Sequence, residues 1–497
     1  MRYLSAVFCF IYLSGYSQGD PSRFALDPLG KGQQHLAKRS TQLHSNLQPF
    51  VKSLDTTWIQ ASDSSTINRI EIRPSGAIAA GYSLSDSSRA TWQASPGVLL
   101  NANLGTRWDL GAAYHFITEK YPTYLQAIAD SLSIMPGIGF ATSDKNGSIA
   151  HYYEGHIGYQ AGKHFHFEVG RGKHFWGDGY RSLLLSQNTA PYPYFRLDTR
   201  VWNLKFVNLI GQFRDRVPGV PFSDTRHKYG ALHSLSWNIS KRVNISFYEM
   251  VIWQEKDSLS DRGLDLNYMH PLLFLRPVEY AQGSADNVML GFSFSVKSNT
   301  NQLVYGSIII DEFLLDELYA GDGWWANKFG GQIGVKSFDT FTEGLHFQLE
   351  INAVRPFTYT HGSRLQSYGN QNQGLAHSFN TNFRELMLLA RYEMKDWTFL
   401  VSASAAEYGR DRVDENYGGD LFRSYVNPFN KYGNTVGQGE HHVYWMQRVE
   451  VSRELKSGLQ AFADIMIRSE YVDGKAFPDH FFQAGVRMPM LRNYRDF

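Results

Sequence analysis

The chain has 497 residues and a formal net charge of +1. Near-neutrality excludes the basic balance of a nucleic-acid binder and leaves no bulk field to steer a charged partner. Charged residues are 19% and aromatic residues 15% of the chain, against the roughly 25% charge of ordinary soluble domains, so the usual division into several soluble domains is a poor expectation.

Residues 1–17 read as a secretory signal. Arg2 supplies the positive charge, residues 4–13 a short apolar core, and Gly15-Tyr16-Ser17 small residues before a cut near Gln18. That core is too short for a spanning helix, and no later run is long enough. Cys9, the one cysteine, falls within the signal. The mature chain is therefore expected to lack disulfides and cysteine metal sites.

Residues 20–59 do not alternate. Leu36, Leu43, Leu47 and Phe50 fall at rough helical spacing. The spacing predicts an N-terminal helical segment over 18–60, on the periplasmic side, plugging or flanking a barrel.

From Ile67 onward the pattern changes. One parity of residues 345–353 reads Leu345, Phe347, Leu349, Ile351, Ala353, and the other reads His346, Gln348, Glu350, Asn352. Residues 459–468 repeat this, with Phe462 and Met466 as apolar lapses on the polar parity. Successive strand side chains point to opposite faces. A chain of such strands behind an export signal predicts an all-β fold, a transmembrane antiparallel barrel with lipid outside and a polar lumen. Strands are expected over eighteen segments, from 67–82 to 480–490, with 16–18 as the range, in one barrel domain over 61–497. Gly105-Thr106, Ala161-Gly162 and Lys395-Asp396 suit tight hairpin turns. Short helices are expected at 122–132 and 311–319, the second ended by Gly321. The polar stretches 355–382 and 407–440 are expected to be extracellular loops. Near the C-terminus, Gln483, Gly485, Met488 and Met490 resemble a barrel-assembly signal, with Met in place of aromatics and Pro489 intruding.

Three segments stand out as sites. Residues 170–186 combine Gly, basic and aromatic residues. Within them Gly177, Asp178 and Gly179 are candidates for an inward constriction, and Trp176, Tyr180 and Arg181 for exposed ligand contacts. In residues 270–280, prolines interrupt an apolar run, and Arg276 and Glu279 are plug candidates. Trp324 and Trp325 are candidates to stack on sugar rings. Among the histidines, His164, His166 and Glu168 share one polar strand face, and Glu154 and His156 share that of the expected hairpin partner. Imidazole and carboxylate at such spacing can hold zinc. An ordinary wet, charge-paired lumen wall explains them better, and neither metal nor cofactor is assigned. No Gly-x-Ser-x-Gly elbow or distinctive acid–base pair is present, so an enzyme is not expected.

The segments 175–186, 193–195, 274–280 and 324–330 together resemble the capsule-assembly Wzi family, nearest its gliding-motility RemB-like branch. The resemblance spans most of the mature chain. It implies an outer-membrane barrel of about eighteen strands, occluded by inward segments. Its partners would be outer-membrane lipid and surface polysaccharide, held in a lectin-like, non-enzymatic way. The gliding branch implies a role beside gliding or adhesin machinery instead. A porin is a third reading, disfavoured by the long insertions.

Overall fold

The structure is a computed structural model. It describes residues 44–49, 68–85, 87–144, 147–217, 220, 224–256, 262–265, 268, 286–298, 301–455, 458–488 and 496. The expected signal at 1–17, most of 18–60, and the candidates Arg276 and Glu279 lie outside the described residues.

Eighteen antiparallel strands close into one barrel. β1 is interrupted at Gly76 (Asn68–Ser75, then Ala77–Leu84), and β2 at Ser95-Pro96 (Arg89–Ala94, then Gly97–Leu104). At Gly76 φ is +133°, and a Cβ there would stand 2.2 Å from the Ser95 carbonyl oxygen, so only glycine fits the kink. The next strands are β3 (Trp108–Lys120), β4 (Gly147–Ala161), β5 (Phe165–Gly172), β6 (Tyr192–Val201), β7 (Leu204–Asp215) and β8 (Arg226–Asn238). After them come β9 (Val243–Gln254), β10 (Asn287–Lys297), β11 (Gln302–Glu312), β12 (Lys328–Phe338) and β13 (Leu345–Val354). The last five are β14 (Phe383–Met394), β15 (Trp397–Arg410), β16 (Glu440–Glu454), β17 (Gln460–Val472) and β18 (Lys475–Arg487). β18 pairs back onto β1, from His480 opposite Leu84 to Arg487 opposite Ala77. Closure leaves no sheet edge unpaired.

The alternation has the expected sense. On β13, His346, Gln348, Glu350 and Asn352 are at most 1% exposed, while Leu349 and Ile351 are 40% and 49% exposed. A soluble sandwich would invert this. An apolar outer face and a polar inner one belong to a barrel set in lipid. The lapses also have an explanation: Phe462 and Met466 point inward and are buried. Met466 joins the apolar cluster in the lumen, and the Phe462 ring carries the Arg487 guanidinium 4.8 Å from its centroid.

Short and long connections separate to opposite ends. One end holds only short turns, such as 105–107, 162–164, 202–203 and 395–396. The other end holds every long connection, together with the tight turns 85–88 and 473–474. In outer-membrane barrels the short turns face the periplasm and the longer loops face outward. Trp108, Trp202, Trp237 and Trp397 are all exposed near the short-turn end, as an interfacial aromatic girdle requires.

Among the described residues, two α-helices sit in the long connections. α1 (Thr123–Leu132) is amphipathic and ends at Ser133 in the left-handed region. It buries Leu125 and Ala129 against Ile117, Tyr121, Ala150 and Tyr152. α2 (Leu315–Ala320) ends at Gly321, whose φ is +70°.

Candidate functional site

Among the described residues, two connections fold into the lumen. The β5–β6 connection, residues 173–191, turns into the barrel, with Leu183, Leu184 and Leu185 fully buried. They pack with Val207, Leu209, Leu232, Met250, Ile252 and Ile309 from the wall. Each such leucine contributes about 1.5–3 kcal/mol by leaving water. The 355–382 stretch, expected to be an extracellular loop, folds inward as well. Tyr359 and Tyr368 are at most 1% exposed, and their hydroxyls donate to the carbonyls of Leu183 and Leu184 at 2.7 Å each. Tyrosine rings supply apolar area and one hydroxyl each, so the segment gains more as a plug than in water. Of the 407–440 stretch, 407–410 belong to β15 and Glu440 opens β16, while 411–439 lie at the outward end, partly exposed but with Leu421 and Phe422 buried in the apolar cluster.

Of the expected N-terminal segment, only 44–49 are described, and they lie inside the lumen. Leu47 pairs with Trp176 and Gln48 with Phe175. Asn46 Nδ2 donates to Ser246 Oγ at 2.8 Å and to Tyr248 Oη at 2.6 Å.

The constriction candidates sit in this plug. Gly177 is buried at φ +126°, its N–H donating to the Asn46 carbonyl at 2.8 Å. Asp178 accepts from Ser45 Oγ at 2.7 Å. At Gly179 a Cβ would lie 2.6 Å from Glu350 Oε2, so the backbone meets the wall directly. The expected exposure of Trp176 and Arg181 is not found. Trp176 is fully buried with its ring 5.6 Å from that of Tyr248, and Arg181 is 2% exposed. Tyr180 is half-buried, its hydroxyl donating to Asp496 Oδ2 at 2.7 Å. Arg181 donates to Asp496 Oδ1 at 3.1 Å and to Glu385 Oε1 at 3.3 Å. A guanidinium inside a barrel needs such carboxylates to offset its lost hydration, while the burial of Leu183, Leu184 and Leu185 supplies the inward drive.

Trp324 and Trp325 lie elsewhere, at the outward end. They come after α2, are half-buried, and their ring centroids are 6.1 Å apart. Trp324 packs at 5.0 Å on Tyr432, and Trp325 at 5.3 Å on Tyr425 and 5.6 Å on Phe357. Hydrogen bonds tie the three connections together: Trp325 N–H donates to Lys431 O at 2.9 Å, and the Arg355 side chain donates from Nε to Asn327 O at 2.7 Å. Beside Trp324 opens a groove of about 330 Å³, lined also by Glu317, Asp322, Asn327, Arg355 and Asn434. Burial pushes the Arg355 guanidinium down from its ordinary range. Partial desolvation and the neighbouring Glu317 carboxylate push the Tyr432 phenol up, so it stays a neutral donor. Aromatic faces with amide, carboxylate and guanidinium groups can stack on a sugar ring and bond its hydroxyls. Sequence patterning missed Glu317, Asp322, Arg355 and Asn434 as groove partners, and Tyr432 as the ring against Trp324. Three different connections supply the groove, and no spacing in the sequence joins them.

The histidines divide. His164 turns to the Arg200 carbonyl at 2.8 Å, and Glu154 takes the Tyr152 hydroxyl. His156 and His166 both face Asp109, at 3.3 and 3.0 Å.

No protein-family model matches the chain. No curated protein matches it in sequence. Among solved structures, it is similar to Wzi of Escherichia coli, described as a carbohydrate-binding β-barrel of the outer membrane involved in group 1 capsule assembly. The identity is 13% and the TM-score 0.57, over 95% of this chain and 99% of that one. Weaker likenesses are to the outer-membrane protein OprD of Pseudomonas aeruginosa, at 12% identity and TM-score 0.43 over 84% and 93% of the two chains, and to OccK1 of the same organism, at 9% and 0.46 over 84% and 98%. The chain thus has a Wzi-like fold, an eighteen-strand barrel of the bacterial outer-membrane kind.

Proposed function

We propose that this protein resides in the outer membrane and binds surface polysaccharide, retaining it at the cell without chemistry. The observation that carries this reading is the groove beside Trp324, placed on the outward end of a barrel with two connections folded into its lumen. Such inward segments disfavour diffusion through the barrel as the activity. Aromatic and hydrogen-bonding groups at the rim suit a polymer presented from outside. Weak contacts repeated along such a polymer give retention without a strong single site. The similarity in fold to a carbohydrate-binding barrel of capsule assembly supports the same reading.

The test is the ratio of cell-attached to shed polysaccharide in a deletion strain. That strain is complemented with the wild type or with Trp324→Ala/Trp325→Ala. The reading expects the deletion and the double variant to shift polymer to the shed fraction, with the variant still assembled as a heat-modifiable barrel. An unchanged ratio with lost surface spreading would transfer the role to gliding motility.

A further inference from the structure

We propose that Asp109, His156, His166 and Glu168 form a binding site for a divalent transition ion of the zinc class, on the lumen wall near the periplasmic end. The four side chains come from three adjacent strands. Asp109 on β3 pairs with Gly158 on β4, which pairs with Glu168 on β5. His156 and His166 each precede one member of that row by two residues, so all four face the same side of the sheet.

Three of the donors converge, and His156 adjoins them through Asp109. Asp109 Oδ1 lies 3.0 Å from His166 Nε2, and Asp109 Oδ2 lies 3.3 Å from His156 Nε2. Ligand atoms of Asp109, His166 and Glu168 all fall within 4.8 Å of one another. A tetrahedral zinc site with bonds of about 2.0–2.2 Å has donor–donor edges of about 3.3–3.5 Å. The Asp109 Oδ1–His166 Nε2 edge is close to the required length, and because His156 faces the other carboxylate oxygen, side-chain rotation has to bring it and Glu168 onto the same ion.

The backbone is cut away where the donors meet. A Cβ at Gly158 would lie 2.4 Å from Asp109 Oδ1 and 2.7 Å from His166 Nε2. At Gly111, opposite His156, it would lie 2.3 Å from the His156 ring. Any side chain at these positions would displace the cluster. Tyr194 Oη donates to Glu168 Oε1 at 2.6 Å and orients that carboxylate from the next strand. The nearby Arg196 is engaged by Asp198, at 2.6 and 2.8 Å.

Two carboxylates supply the negative charge that a divalent ion calls for, with Arg196, held by Asp198, offsetting part of that on Glu168. The imidazoles favour a zinc-like ion over calcium or magnesium, which prefer oxygen alone. His166 is fully enclosed, but Asp109 is 23% exposed beside the turn 105–107 and gives the ion a route in.

The experiment titrates the purified, chelator-treated full-length barrel in detergent with zinc by calorimetry, and with cobalt(II) by visible absorption. The expected result is one ion per barrel, with the d–d bands of a nitrogen- and oxygen-ligated cobalt site. Asp109→Asn keeps the shape and one acceptor; it and His166→Gln should each weaken binding at least about tenfold, with barrel mobility on gels unchanged. Absence of binding to the wild type, or binding that both variants leave unaltered, overturns the proposal.

Discussion

Glu350 on the barrel wall accepts the backbone N–H groups of Tyr180 and Arg181, one on each carboxylate oxygen, at 2.8 and 3.1 Å. The side chain that the alternating pattern assigns to the lumen face is thus the peg on which the plug hangs. Its Oε2 also takes the Tyr305 hydroxyl at 2.7 Å. Hydrogen bonds to a charged group contribute about 1.5–3 kcal/mol each. Glu350→Ala should cost at least about 3 kcal/mol and loosen residues 173–191. Limited proteolysis of the folded barrel in detergent reads this out as faster cleavage within that segment. Cleavage at the wild-type rate would show that the apolar contacts alone hold the plug.

The apolar part of the plug makes a separate prediction. Leu184 seats against Gly291, where an added Cβ would lie 2.5 Å from Leu184 Cδ2. Leu184→Ala should leave a cavity and cost about 2–5 kcal/mol. Gly291→Leu should expel the same side chain. In planar bilayers the wild type is expected to show no steady conductance, and the Gly291 variant to show intermittent openings. Steady wild-type conductance would instead favour the porin reading.

The outer face is tested by charge. Ile351 is 49% exposed in the middle of β13, beside the fully buried Glu350. Lysine at the bilayer midplane costs about 2–4 kcal/mol. Ile351→Lys should therefore lower stability by about that amount in denaturant titrations in lipid vesicles, and by much less in a small detergent micelle. Equal losses in both would mean that the face does not contact the hydrocarbon.

Acid should loosen the rim. His361 lies in the inward 355–382 connection, with its ring 5.4 Å from that of Tyr425. Burial first, and the nearby Lys328 second, hold its imidazole below the ordinary value of 6.5. A lowered histidine pKa means the undocked state takes up the proton first. Docking stability is therefore full above the ordinary value and falls as pH drops below it. Proteolysis of the rim should accelerate between about pH 7 and about pH 5, and His361→Gln should remove much of that acceleration. The same acceleration in the variant would assign it to other groups.

The sequence by itself determined the barrel. Strict two-residue alternation forces one apolar and one polar face, and eighteen such runs have one solution that leaves no edge and puts the apolar face in lipid. Both short helices were legible too, because Pro122 and Gly321 mark a start and a stop by backbone geometry alone, but the second begins at Leu315 rather than 311, since 311 and 312 end β11. Loop polarity misled, since the Asn-, Gln- and Gly-rich stretch at 355–382 looks fit for water. Only the tertiary structure shows that wall carboxylates, buried tyrosines and the 173–191 segment satisfy many of those polar groups inside the barrel. The same holds for the sites. Trp176 and Trp324 look alike in sequence, yet one is locked against Tyr248 and the other borders an open groove. Asp109 carries no local signal at all. It meets His156 and His166 because strand register, a long-range property of the closed sheet, places three strands side by side with glycine at the crossing point.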